Sequence, residues 1–264
     1  FVLQLFYFKS RYKFRKYLLT KKNHNLEKGY NYFINAMIAL ANKDKKTAIQ
    51  SSYKMKKFIH NNDGLSLFLN SEIFKIEKKY DKLHLIHEEM IKNKTTETLG
   101  YKGLMEQNLI NQDYHHAFIY GEKLFELNPY IEKLYPTLVN IIAKSKNWNQ
   151  LILITKKAYN KKIIDGDTYS KNTSISYYEI SKIKMYSESH ESLSLIIKAI
   201  KLNKKFPPFI KLHLEILFHM NETSKLLKVL KKYWNESPTS ALRKIISSFL
   251  KENKLDKIDN IKLI

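Results

Sequence analysis

A pattern of about thirty-four residues recurs along this 264-residue chain. Its clearest copy occupies 98–131, with Gln112-Asp113-Tyr114-His115-His116-Ala117 at its centre and Leu127-Asn128-Pro129 at its close. Carrying the position of Ala117 through the chain meets Ala48, Leu83, Leu151, Leu193 and Leu226, so that successive separations are 35, 34, 34, 42 and 33. Other positions keep the same register. Asp44, Asp113 and Asn147 precede the marker by four residues, and Tyr80, Tyr114 and Trp148 by three. Ala36, Ser71 and Ser181 precede it by twelve, and Pro129 and Pro238 follow it by twelve. A period of this length marks supersecondary units that cannot bury their apolar faces alone and must stack.

Composition says what those units are made of. Six glycines and five prolines leave long stretches unpunctuated, and Asp63-Gly64 is the one tight-hairpin signal. An all-β chain needs many more such turns, so the units are helical. No three glycines form G-x-G-x-x-G or a phosphate-binding loop, which removes the usual nucleotide and dinucleotide cradles. With no cysteine there is no disulfide, thiolate nucleophile, iron–sulfur cluster or Cys-rich zinc site.

The unit 98–131 resembles a tetratricopeptide repeat, in which a polar turn precedes a second helix with a small residue at position twenty and Pro at thirty-two. Tyr101 and Leu104 stand where that repeat puts large residues, whereas Met105 departs from its small residue at position eight. The resemblance implies an all-α, right-handed superhelical solenoid of antiparallel helix pairs. The pairs are expected at about 26–60, 64–95, 98–129, 131–163, 170–205 and 207–238, with a further first helix at 241–251 and an incomplete second one at 255–264. The 42-residue interval contains Asp165-Gly166-Asp167, where an eight-residue excess is expected as a longer turn.

The amino terminus differs from the body. An apolar run over 1–8 is followed by Lys9, Arg11, Lys13, Arg15, Lys16, Lys21 and Lys22, with no acid before Glu27. Eight helical residues span about 12 Å, against about 30 Å for a bilayer core. The run is therefore either the end of a membrane helix or an amphipathic helix packed on the first repeat. The absent initiator Met and the basic cluster favour the first, with residues 1–24 as the end of a transmembrane helix plus a juxtamembrane segment and 25–264 as the repeat body. The positive-inside rule then places the body in the cytoplasm.

The formal net charge is +22, yet only Arg11, Arg15 and Arg243 among 47 basic residues are arginines. Lysine on solvated helix faces accounts for most of this charge. Bidentate recognition of phosphate and guanine relies on Arg, so nucleic acid is the disfavoured partner. A basic solenoid binding RNA remains an alternative.

Nothing in the sequence assembles catalysis. His84 and His87 are three apart with Glu88 beside them, and His213 and His219 share a helix, but no H-E-x-x-H occurs. His87 falls on a packing position, and His115-His116 are exposed residues ahead of Ala117. No catalytic, metal or cofactor residues are assigned. Binding remains. In tetratricopeptide repeats, positions two, five, nine and twelve of the first helices line a concave groove. These include Tyr30, Phe33 and Met37 in the first unit, Lys102 and Glu106 in the third, and Lys133 and Asn140 in the fourth.

Taken in order, Lys28-Gly29-Tyr30, 36–44, Leu99-Gly100-Tyr101-Lys102-Gly103-Leu104, Asn147-Trp148 and Ile163-Ile164-Asp165 resemble the HemY family of bacterial inner-membrane proteins. The resemblance implies a membrane hairpin, a tetratricopeptide body and a link to late haem biosynthesis. The flavin-dependent protoporphyrinogen oxidase that shares the name needs a dinucleotide-binding fold, which the glycines exclude. The expected function is a non-enzymatic, membrane-tethered scaffold for protein partners, haem-biosynthesis enzymes among them. An adaptor for another envelope process, such as lipopolysaccharide or secretion-machinery assembly, is the alternative scaffold.

Overall fold

The structure is a computed structural model that describes residues 2–61, 63–204, 206–236 and 239–253. Among these residues there are helices and no strand. The chain divides into two compact units, Phe1–Ile131 and Glu132–Ile264. The first holds α1 (Val2–Ala41), α2 (Lys45–Met55), α3 (Gly64–Glu77), α4 (Tyr80–Lys92), α5 (Glu97–Ile110) and α6 (Tyr114–Leu127). The second holds α7 (Leu134–Ser145), α8 (Trp148–Asn160), α9 (Gly166–Lys184), α10 (Ser189–Leu202), α11 (Pro207–His219), α12 (Thr223–Glu236) and α13 (Ser240–Glu252). Within each unit consecutive helices pack on one another, the arrangement expected of antiparallel pairs joined by short turns. Pro238, the expected helix at 255–264 and the side chains of the apolar run 1–8 lie outside the described residues.

The repeat register coincides with the second helices. Tyr80, Tyr114 and Trp148 are the first residues of α4, α6 and α8. Asp44, Asp113 and Asn147 are the N-caps of α2, α6 and α8. The two aspartates accept from the amides of Thr47 (3.1 Å) and His116 (3.0 Å), satisfying donors the first turn leaves free.

Those turns close without glycine. Lys43, Lys78, Gln112, Lys146 and Asn221 adopt φ between 55° and 60°, each just before the second helix of its pair. Each donates its amide three residues back, and the next residue donates five residues back, as in Gln112 to Leu109 (3.1 Å) and Asp113 to Asn108 (2.9 Å). This doubly bonded ending satisfies carbonyls that the last helical turn leaves free. It offsets a left-handed conformation that costs a side chain about 1–2 kcal/mol.

One expectation fails. The eight surplus residues do not form a longer turn. Most of them are helical and lengthen α9 to 19 residues, against 12–14 in α3, α5, α7 and α11. Asp165 is its N-cap and accepts from the Thr168 amide at 2.7 Å, Asp167 lies in its first turn, and Gly166 is its first residue. Carboxylates are favoured at a helix start, so the Asp-Gly-Asp sequence opens a helix here. Tyr169 in the added turns packs against Tyr159 of α8, ring centres 4.8 Å apart.

Small residues let paired helices approach. Ala36, Ser71 and Ser181 are buried as expected. Ser181 Oγ donates to the Ser192 carbonyl (2.8 Å) and Ser192 Oγ to the Ser181 carbonyl (2.7 Å), tying α9 to α10. In the first unit Ala36, Met55, Ile59, Leu69 and Ile73 form one core. In the second, one core gathers Ile196, Phe209 and Ile216, and another Leu226, Leu230 and Phe249.

A buried polar junction joins α7, α8 and α9. Tyr135 Oη lies 3.0 Å from Thr155 Oγ1 and accepts from Asn172 Nδ2 at 2.8 Å. Tyr135→Phe would leave a fully buried threonine hydroxyl without this partner. Urea titration is expected to show a loss of about 1 kcal/mol, and an unchanged midpoint would contradict it.

Candidate protein-binding surface

The α1 helix carries the basic amino-terminal segment directly into the first repeat. Its 40 residues reach about 60 Å. Gly29 is buried, and a Cβ there would meet Ile59 at 2.6 Å, which fixes the face that α1 turns inward. Tyr32 stacks on Phe58 at 5.9 Å, with Lys54 Nζ 5.9 Å from its ring centre. Three apolar residues spaced four apart then remain on the outside. Tyr30 is 49% exposed, Ile34 51% and Ile38 55%.

Tyr30 is thus open, but Phe33 and Met37 are half-buried and packed on the first-unit core. Ile34 and Ile38 had no place among the expected groove positions, yet they carry the apolar exposure. Lys102 and Glu106 are exposed on α5, where they form a 3.9 Å ion pair. Lys133 and Asn140 belong to the second unit. Lys133 precedes α7 as its N-cap with φ 61° and pairs with Glu132 at 3.7 Å, while Asn140 is exposed on α7.

The histidines divide into two kinds. His84 faces Glu88 at 3.6 Å, and His116 faces Asp113 at 2.7 Å, both on the surface. His87 is buried, as its packing position implied. Its Nδ1 lies 3.3 Å from Gln107 Oε1, and Gln107 Nε2 donates to the Tyr80 carbonyl at 3.4 Å, tying α4 to α5. Burial pushes the His87 pKa down, with the Gln107 hydrogen bond opposing it. His213 is also buried, 2.7 Å from Tyr233 Oη, and burial pushes its pKa down to about 4. Among the described residues no group of three His, Asp or Glu side chains is placed to hold a metal ion. Nor is any helix among them long and apolar enough to cross a membrane.

No protein-family model matches the sequence, and no curated protein matches it. Solved structures do. A structure of Naa15/Naa10 bound to HypK-THB is similar at 14% identity with a TM-score of 0.56, covering 88% of this chain and 35% of that chain. The present chain therefore spans about a third of that neighbour's length. The TPR2AB-domain:pHSP90 complex of yeast Sti1 aligns at 12% identity and TM-score 0.39, covering 84% of this chain and 97% of that one. Pseudomonas aeruginosa pilF aligns at 9% identity and TM-score 0.42, covering 85% and 99%. At 14% identity the first likeness is one of fold. Together with the register, the chain is an all-α tetratricopeptide-type repeat protein.

Proposed function

We propose that this protein is a non-enzymatic scaffold that holds protein partners at a membrane face and serves late haem biosynthesis or its regulation. The observation that carries the binding role is the row Tyr30, Ile34 and Ile38, three apolar side chains each about half exposed on one helix. Apolar groups spaced four apart on a helix offer a strip into which a partner's side chains pack. The membrane role is supported by the segment of the same helix just before that row. Arg11, Lys13, Arg15, Lys16, Lys21, Lys22 and Lys28 project from it, with Phe14, Tyr17, Leu18 and Leu19 exposed among them. Basic side chains near an anionic cytoplasmic leaflet gain about 1 kcal/mol each. Tethering then raises the partner's effective concentration at that row. The link to haem biosynthesis rests on the resemblance of the Leu99–Leu104 and Asn147-Trp148 segments to HemY.

A photo-crosslinker at Ile34 in the full-length protein, in its own membranes, tests the reading. A crosslink to an enzyme of late haem synthesis is expected, and Tyr30→Glu is expected to abolish it. Recovery of envelope-assembly proteins alone would instead assign the chain to that process. Fractionation with soluble protein would remove the tether.

A further inference from the structure

A pocket of about 310 Å³ opens between α10 and α12 of the second unit, over α11. Ile200 and Val229 form its apolar walls, and the hydrogen-bonded pair of His213 and Tyr233 lies beneath, both side chains over nine-tenths buried. Lys201, Lys204 and Lys232 line it, and no acidic residue does. Lys201 and Lys204 are exposed on the helix and the loop that follows it. The stretches 192–214 and 223–235 contain nine lysines, of which Lys211 pairs with Glu215 and Glu252 and Lys225 with Glu222, so the charge near the pocket comes from the lysines that line it. Lys228 lies one turn before Lys232 on α12, whereas the Lys198 ammonium, one turn before Lys201 on α10, lies 5.8 Å from the ring centre of Tyr177 on α9.

We infer that this pocket is a second docking site, for a short acidic peptide segment of a partner protein that places one large apolar side chain between α10 and α12 and its carboxylates on the lysines. The volume is at the lower end of ligand sites, and the pocket is open, so a small molecule would leave much of its surface in water. An extended acidic chain reaches the exposed Lys201 and Lys204 beside the pocket. RNA fits less well, because no arginine stands here and the two rings of the floor are too buried to stack on a base. His213 is neutral at pH 7, so the attraction comes from lysine. The inference deepens the scaffold reading by naming the chemistry of a partner on a surface distinct from the α1 row.

The test is fluorescence anisotropy of the full chain with a labelled Asp-Glu-Phe-Glu-Asp peptide. Exchanging the central Phe for Ala, or the four acids for Lys, is expected to weaken binding at least about tenfold. A Lys201→Glu, Lys204→Glu variant, altered only at exposed positions, is expected to lose at least about tenfold for the Phe peptide. The His213 ring proton resonances are expected to move with the Phe peptide and stay with the Ala one. Equal binding of the Phe and Ala peptides, wild-type affinity in the variant, or displacement by polyuridine RNA would each overturn the inference. These outcomes are independent of crosslinking from Ile34, so either site can fail alone.

Discussion

Gly103→Ala is expected to destabilise the protein by about 2 kcal/mol, although alanine in place of glycine within a helix ordinarily stabilises it by about 1 kcal/mol. A Cβ on Gly103 would overlap the ring of His87, which is 4% exposed and bonded to Gln107. The ring must break that bond and turn outward, or α4 and α5 must separate. Gly100 has a harder neighbour. A Cβ there would lie 2.8 Å from both the His87 carbonyl oxygen and the Ile91 amide nitrogen, backbone atoms that cannot rotate away. A similar loss is expected for Gly100→Ala. The two are told apart by a second substitution. Adding His87→Ala is expected to recover most of the Gly103→Ala loss, because the colliding ring is gone, and none of the Gly100→Ala loss. Thermal unfolding reads these changes as a fall of about 4–8 °C for each single variant. If Gly103→Ala raises the midpoint, the close approach of α4 and α5 does not exist in solution.

The Leu-Gly-Tyr-Lys-Gly-Leu segment thus has a structural task. Its glycines admit a neighbouring helix and a buried imidazole. The sequence placed His87 at a packing position, but not under Gly103, because a contact between successive repeats leaves no mark within either one. What local sequence does record is the start of each second helix. Asp44 and Asp113 announce theirs with a side chain that caps it, and the buried positions Ala36, Ser71 and Ser181 recur because two helices can approach only over small residues.

The left-handed turns were not legible. Glycine is the residue that advertises such a conformation, and Lys43, Lys78, Gln112 and Lys146 hold it by hydrogen bonding. The extension of α9 was hidden for a related reason. Asp-Gly-Asp suits a turn as well as a helix start, and the Asp165 cap on Thr168 and the packing of Tyr169 on Tyr159 distinguish them. The expected groove positions on α1 divide in the structure. Tyr30 faces out, Phe33 and Met37 turn into the core, and Ile34 and Ile38 face out. Fixed positions assume an average neighbour, whereas here the packing of α1 on α2 and α3 decides which of its side chains are buried.

Acid is expected to remove about 3 kcal/mol of stability between pH 6.5 and 4 through His213 alone. Its ordinary pKa of 6.5 falls to about 4 in the folded chain because burial disfavours the cation. Below pH 6.5 the unfolded chain takes up a proton that the folded chain refuses until about pH 4. Protons therefore favour unfolding across that window. The stabilisation is complete above pH 6.5, is lost progressively as pH falls, and changes no further below about 4. His87, lowered by the same cause, acts in the same direction. Glu215, on the same helix as His213, opposes it. Burial raises its carboxyl, so the folded chain takes up that proton first, and the Lys211 ammonium nearby reduces the effect. The capping aspartates Asp44, Asp113 and Asp165 are lowered by their hydrogen bonds and lose their contribution only at lower pH, so they do not shape this window. His213→Gln isolates the term, since an amide can bond to Tyr233 but does not ionise there. At pH 7 the variant is expected to be less stable than the wild type. The difference should close, and then reverse, as thermal unfolding is followed down to pH 4.5. Parallel curves for the two proteins would mean that His213 titrates alike in both states, and that the pocket floor is open to water.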